Sequence, residues 1–204
     1  NSAGSFKLFG NGKAATIFVA ADDWPGVVHV AKDLQTDVQR VSTVTPKLAH
    51  KEKELGTNAI IIGTIGRSAM IDRLIRDKKI DVADVTGKWE STLVQVVKQP
   101  LPGVESALVI AGSDKRGTIF GIYNLSEQMG VSPWHWFADV PPKQHESLFV
   151  NAGRFVQGPP AVKYRGIFIN DEAPALPEWV RKTYGDVPGR QGTANYGRGF
   201  YTNI

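Results

Sequence analysis

The sequence has 204 residues, 42% of them hydrophobic, enough for one complete domain with a buried core and part of another. With no Cys it can form neither a disulfide framework nor a Cys-based zinc site, and its apolar runs, Ala59–Ile62 and Ala107–Ala111 among them, fall far short of the ~18 residues of a membrane-spanning helix. The formal charge of +4 is dispersed, and Lys51-Glu52-Lys53-Glu54 mixes both signs, so the basic residues read as a solvated surface rather than a nucleic-acid face.

In chain order, Asn1 to Ser5 carries no basic start or apolar h-region, so no targeting signal is visible. Ala14 to Ala20 is a short apolar strand. Asp22-Asp23-Trp24-Pro25 then favours a helix start, and Val27, Val28, Val30, Ala31, Leu34, Val38 and Val41 recur at helical spacing. The same order returns in Asn58 to Ile65, followed by a helical face at Met70, Ile71, Leu74 and Ile75. It returns again in Ala107 to Ala111, with a helix through Gln128 that Gly130 ends. Ser91 to Lys98 alternates like a half-buried strand closed by Pro100 and Pro102, so the sheet is expected to be mixed. These repeats predict an α/β layer over residues 1–150.

From Val131 to Pro142 the composition turns aromatic and Pro-rich, which marks the handover to a second region, 151–204. Ser147 to Phe155 reads as a strand and Gly158-Pro159-Pro160 as a turn. Tyr164 to Asn170 is an apolar strand that stops on Asn170-Asp171-Glu172, and a short helix is expected around Trp179 to Thr183. A (β/α)8 barrel holds its chemistry at such strand ends. Because that fold takes about 250 residues, the expected barrel is incomplete here.

Glycosidic hydrolysis needs two carboxyl groups on opposite sides of the scissile bond. Asp171 and Glu172 are adjacent on one strand and point to opposite faces, so at most one faces a pocket. The competing structural role is a helix cap paired with Arg165 or Arg181. Trp134, Trp136 and Phe137 with His135 offer either a sugar-stacking platform or an interdomain plug. Gly63–Ser68 and Gly112–Gly117 are Gly-bearing strand-to-helix turns, but neither matches a dinucleotide or P-loop pattern. Tight-turn chemistry explains them, and a nucleotide-binding domain ranks last. The four His residues show no metal-ligand spacing. Asn124-Leu125-Ser126 is a glycosylation sequon on the third helix, expected to be exposed.

Three collinear segments carry a family resemblance: Ser106 to Tyr123 (SALVIAGSDKRGTIFGIY), Gly130 to Pro142 (GVSPWHWFADVPP) and Lys163 to Pro174 (KYRGIFINDEAP). They resemble the amino-terminal part of glycoside hydrolase family 115, the xylan α-1,2-glucuronidases, and the likeness runs from Asp22-Asp23-Trp24-Pro25 onward. The resemblance implies an inverting, metal-independent enzyme without a cofactor that removes (4-O-methyl)glucuronic acid from xylan. It further implies a small α/β domain followed by a TIM barrel, with helical and β-rich regions often involved in dimer formation. Its implied partners are glucuronoxylan or aldouronic acids and the remainder of the same enzyme, with neither nucleic acid nor membrane, and its implied location is extracellular. Asp171 matches a family acid lining the sugar pocket, flanked by Asn170 and Glu172. The family's general acid and water-activating carboxylate match nothing before Ile204, so the 204-residue polypeptide is expected to be inactive. A non-catalytic carbohydrate-binding module that uses Trp134, Trp136 and Asp171 is the alternative.

Overall fold

An Asn-Gly pair makes the first turn. Asn11 (φ 57°) and Gly12 (φ 69°) both take left-handed backbone, the geometry of a two-residue hairpin whose twist matches its strands. The pair joins β1 (Phe6–Gly10) to β2 (Lys13–Ala14), with Phe9 opposite Ala14 and Gly10 opposite Lys13. The strand expected over Ala14 to Ala20 leaves this hairpin out. Ala14 belongs to β2, and the next strand, β3 (Thr16–Val19), starts two residues later.

The computed structural model describes residues 3–135 and 140–166. The chain divides into two compact units, Asn1–Pro160 and Ala161–Ile204. The described part of the second unit, 161–166, has no regular structure, and the remainder of the strand expected over Tyr164 to Asn170 lies outside the described residues, as does the helix expected near Trp179.

The first unit is built on a mixed sheet. β3, β5 (Asn58–Thr64) and β7 (Val104–Gly112) run parallel, and β4 (Leu48–Ala49) adds a short parallel edge beside β3. β6 (Thr92–Leu101) and β9 (Arg154–Gln157) continue it antiparallel, giving the order β4-β3-β5-β7-β6-β9. Strands covered on both faces need apolar side chains on both, which is why β5 and β7 read as continuous apolar runs.

Alternation along β5 divides the core. Ile60 and Ile62 join the cluster under α1 (Pro25–Ser42) and α3 (Lys115–Gln128), whereas Ala59 and Ile61 join the one under α2 (Ala69–Arg76). Full burial of each such Ile contributes ~1.5–3 kcal/mol. The α1 side chains at the expected spacing, Val27 through Val41, are buried except Val28, which packs partly buried against the same cluster. α3 stops in a Schellman turn: Gly130 (φ 93°) donates to Glu127 O at 2.9 Å and Val131 donates to Ser126 O at 3.0 Å.

A second sheet, β2-β1-β8, adds Phe6, Leu8 and Phe9 to the core beneath α1. β8 (Ser147–Val150) pairs with β1. The single strand expected over Ser147 to Phe155 is therefore two strands in two sheets, and Asn151 to Gly153 carry the chain between them. Because β9 pairs with β6, the first unit runs to Pro160, ten residues past the handover read from composition. Ladder pairing depends on a distant partner, which local composition does not encode.

Two further details differ from expectation. β6 does not stop before Pro100. Its register shifts between Lys98 and Leu101 with Gln99 at φ 47°, so the missing Pro N–H falls within the irregularity. Asn124 is half-buried rather than exposed, and Ser126 of the same sequon is 4% exposed. The apolar side of α3 is wider than its Ile and Tyr spacing implied, because Gly121 and Ser126 also pack inward.

Candidate functional site

Asn170, Asp171 and Glu172 lie outside the described residues, as do Trp136 and Phe137. Of the chain leading toward them, Arg165 donates through Nη1 to Val162 O at 2.5 Å, and Tyr164 is exposed. Trp134, the described member of the aromatic cluster, is 62% exposed, and its neighbour His135 places Nδ1 3.3 Å from Val140 O.

Within the first unit, the polar side chains converge where the parallel strands end. The Asp22-Asp23-Trp24-Pro25 loop leads into the expected helix and Pro25 opens α1, but no side chain caps that helix. Asp23, 2% exposed, turns across the sheet instead. Its Oδ2 accepts from Thr64 N–H at 2.9 Å, and its Oδ1 accepts from the Thr64 hydroxyl at 2.9 Å and from Trp24 N–H at 2.7 Å. The Thr64 hydroxyl also lies 2.9 Å from that of Thr118, in the first turns of α3. A buried carboxylate costs several kcal/mol to desolvate unless hydrogen-bonded, and three donors satisfy this one. The chain Asp23–Thr64–Thr118 therefore ties the ends of β3 and β5 to α3.

The turn after β7 is closed in a similar way. Asp114 caps α3, accepting from Gly117 N–H at 2.7 Å and from Glu90 N–H at 2.8 Å. The carboxylate stands where an anion would bind at this helix start. A Cβ on Gly112 would lie 2.1 Å from Thr118 N, and one on Gly117 would lie 2.2 Å from Ser91 O. These glycines permit backbone contact, which supports the tight-turn reading over phosphate binding. Three acids are buried among the described residues: Asp23, Asp37 and Glu90. Asp37 pairs with Arg40 at 2.7 Å and Glu90 with Arg116 at 3.1 Å, so each has a structural partner.

At the far edge of the sheet, Arg154 on β9 grips the loop before β6. Its guanidinium binds both oxygens of Asp84 and donates to Asp81 O at 3.0 Å. The paired guanidinium holds the Asp84 carboxyl below its usual range, and the carboxylate raises Arg154 in return. Sequence reading missed this clasp and the Asp23–Thr64 bond. The only available signal for the latter was a second acid beside a helix-opening Pro. An open hollow of about 510 Å³ between the Asn11-Gly12 turn, the end of α1 and Gln144–Glu146 holds none of the residues singled out as a site.

The family model described as Glycosyl hydrolase family 115 matches residues 157–204. Among solved structures, the chain is similar to a family GH115 4-O-methyl-α-glucuronidase with specificity for decorated arabinogalactans. The two share 33% identity with a TM-score of 0.75, over 92% of this chain and 22% of that one. A comparison with curated proteins gives no match. The family model covers the segment with Asn170, Asp171 and Glu172, and the solved structure extends the likeness over the mixed α/β unit.

Proposed function

Because the chain belongs to glycoside hydrolase family 115, we propose that it is the amino-terminal portion of an α-glucuronidase that releases (4-O-methyl)glucuronic acid from a branched polysaccharide. The observation that carries this reading is the family match over 157–204, because that segment holds Asn170-Asp171-Glu172. In this reading residues 151–204 are the linker and the opening of a (β/α)8 barrel. Asp171 contacts the sugar at a strand end, as ligand or electrostatic contributor, with Asn170 and Glu172 beside it.

Hydrolysis with inversion requires a carboxylic acid and a water-activating carboxylate about 6.5 to 9.5 Å apart. Neighbouring residues of one strand do not supply that geometry; in the family pattern that this reading adopts, both groups come later in the barrel than Ile204, and the 204-residue chain does not turn over. The remainder of the same enzyme is thus its first partner, in an extracellular protein. The chemistry is proton transfer and attack by water, with no metal or cofactor taking part.

Glucuronoxylan and its aldouronic acids are the first substrate reading. The specificity of the similar solved enzyme for decorated arabinogalactans favours uronate-capped arabinogalactan as the second. The exposure of Trp134 favours a rival of another class, a module that holds glycan without cleaving it. Assays with aldouronic acids and arabinogalactan, on this chain and on a longer polypeptide containing it, decide between them. Uronic acid released only by the longer form supports the enzyme, whereas glycan affinity in this chain with release by neither form supports the module.

A further inference from the structure

The loops that follow β3 and β5 diverge at the carboxyl end of the sheet, one entering α1 on one face and the other α2 on the opposite face. In open α/β sheets the crevice between two such loops is the place where ligands bind. Its floor here is the satisfied Asp23–Thr64–Thr118 chain. Its mouth is Trp24 from the first loop and Arg67 from the second, with the guanidinium carbon 4.2 Å from the indole centroid. Trp24 is 40% exposed, Arg67 is exposed, and Arg67 has no carboxylate partner among the described residues. Lys115, also exposed, runs its stem past Gly26, two residues from Trp24.

We propose that Trp24 and Arg67 form a non-catalytic subsite for the uronic acid residue of an acidic glycan. Arg67 covers one face of the indole, the exposed remainder of Trp24 suits the apolar C–H face of a pyranose, and the guanidinium edge pairs with a carboxylate through two parallel N–H···O bonds. Lys115 adds a second positive charge, and Asp22, exposed on the Trp24 loop, offers an acceptor for hydroxyls. A neutral sugar leaves the guanidinium without an anion, and a simple phosphate has no apolar face for the indole. The combination selects a sugar that carries a carboxylate. This site lies in the unit Asn1–Pro160 and uses no residue after Lys115, so it stands or falls separately from hydrolysis in the barrel.

The test is a titration of the 204-residue chain with an aldouronic acid, followed through the Trp24 indole N–H resonance, which Trp24→Phe identifies by its loss. Saturable shifts of that resonance are expected, with no response to the matching neutral xylo-oligosaccharide. Arg67→Gln should weaken binding roughly tenfold, the loss of a charge-assisted pair, and Trp134→Ala should leave it unchanged. Thermal melts of both exposed-site variants at the parent temperature show that the fold is kept. An unmoved Trp24 resonance, an equal response to the neutral oligosaccharide, or full affinity in Arg67→Gln overturns the proposal.

Discussion

Asp23 and Thr64 are joined twice: the backbone N–H and the hydroxyl of Thr64 each donate to the Asp23 carboxylate at 2.9 Å, in a region where Asp23 is 2% exposed. Forty-one residues separate the two, so the contact closes the β3 loop onto the end of β5. Hydrogen bonds to a buried carboxylate are worth more than neutral ones, and deleting one partner strands the other without solvent.

Asp23→Ala should therefore destabilise the protein by roughly 2 to 4 kcal/mol, because two Thr64 donors lose their acceptor in the interior. Thr64→Val, which keeps the shape and the backbone donor, should cost about 1 to 2 kcal/mol. Urea unfolding of both variants checks this. A change below about 0.5 kcal/mol for Asp23→Ala would mean that the bond is not formed in solution.

Gly112→Ala and Gly117→Ala should each fail to fold or lose several kcal/mol. Backbone atoms of Thr118 and Ser91 stand 2.1 and 2.2 Å from the added methyl, too close for a side-chain adjustment to relieve. Gly158→Ala is the control, since nothing lies within 4 Å and its φ is ordinary. Thermal denaturation should place Gly158→Ala within a degree or two of the parent.

The Arg154–Asp84 clasp predicts a pH dependence. The folded Asp84 carboxyl titrates below its unfolded value, so its contribution is fully present above about pH 4 and is lost as pH falls through the folded value. Melting temperatures between pH 2 and 6 should fall less steeply in Asp84→Asn than in the parent. Because the pair is exposed, added salt should reduce the difference. Identical slopes in the two proteins contradict a native ion pair.

In a longer polypeptide that carries the chemistry, Asp171→Ala should lower kcat/KM by roughly tenfold to a hundredfold, the loss of a charged contact to the sugar. Steady-state kinetics on aldouronic acids read it. Unchanged kcat/KM removes Asp171 from the sugar pocket.

Much of this fold was legible in the sequence because its units are local. The spacing from Val27 to Val41 fixes α1, and the run from Asn58 fixes β5 to within a residue. Gly130 marks the end of α3 because only a residue at ease with positive φ closes that turn. What escaped depends on distant partners. β8 and β9 look like one strand until β1 and β6 claim them separately. Asp23 looks like a helix-start acid until Thr64 is seen beneath it. Asn11-Gly12 is a hairpin signal, but β2 is only two residues long, too short to show strand alternation beside it. Asn170, Asp171 and Glu172 were singled out by the apolar strand ahead of them and by family likeness, and their geometry falls outside the described residues.

The most direct measurement is uronic acid release from aldouronic acids and from uronate-decorated arabinogalactan, by the 204-residue chain and by a longer polypeptide that contains it, at equal molar concentration. Release by the longer form alone, with the product appearing first in the inverted anomeric configuration, is the predicted result. Turnover by the 204-residue chain itself, or no release by either form, contradicts it.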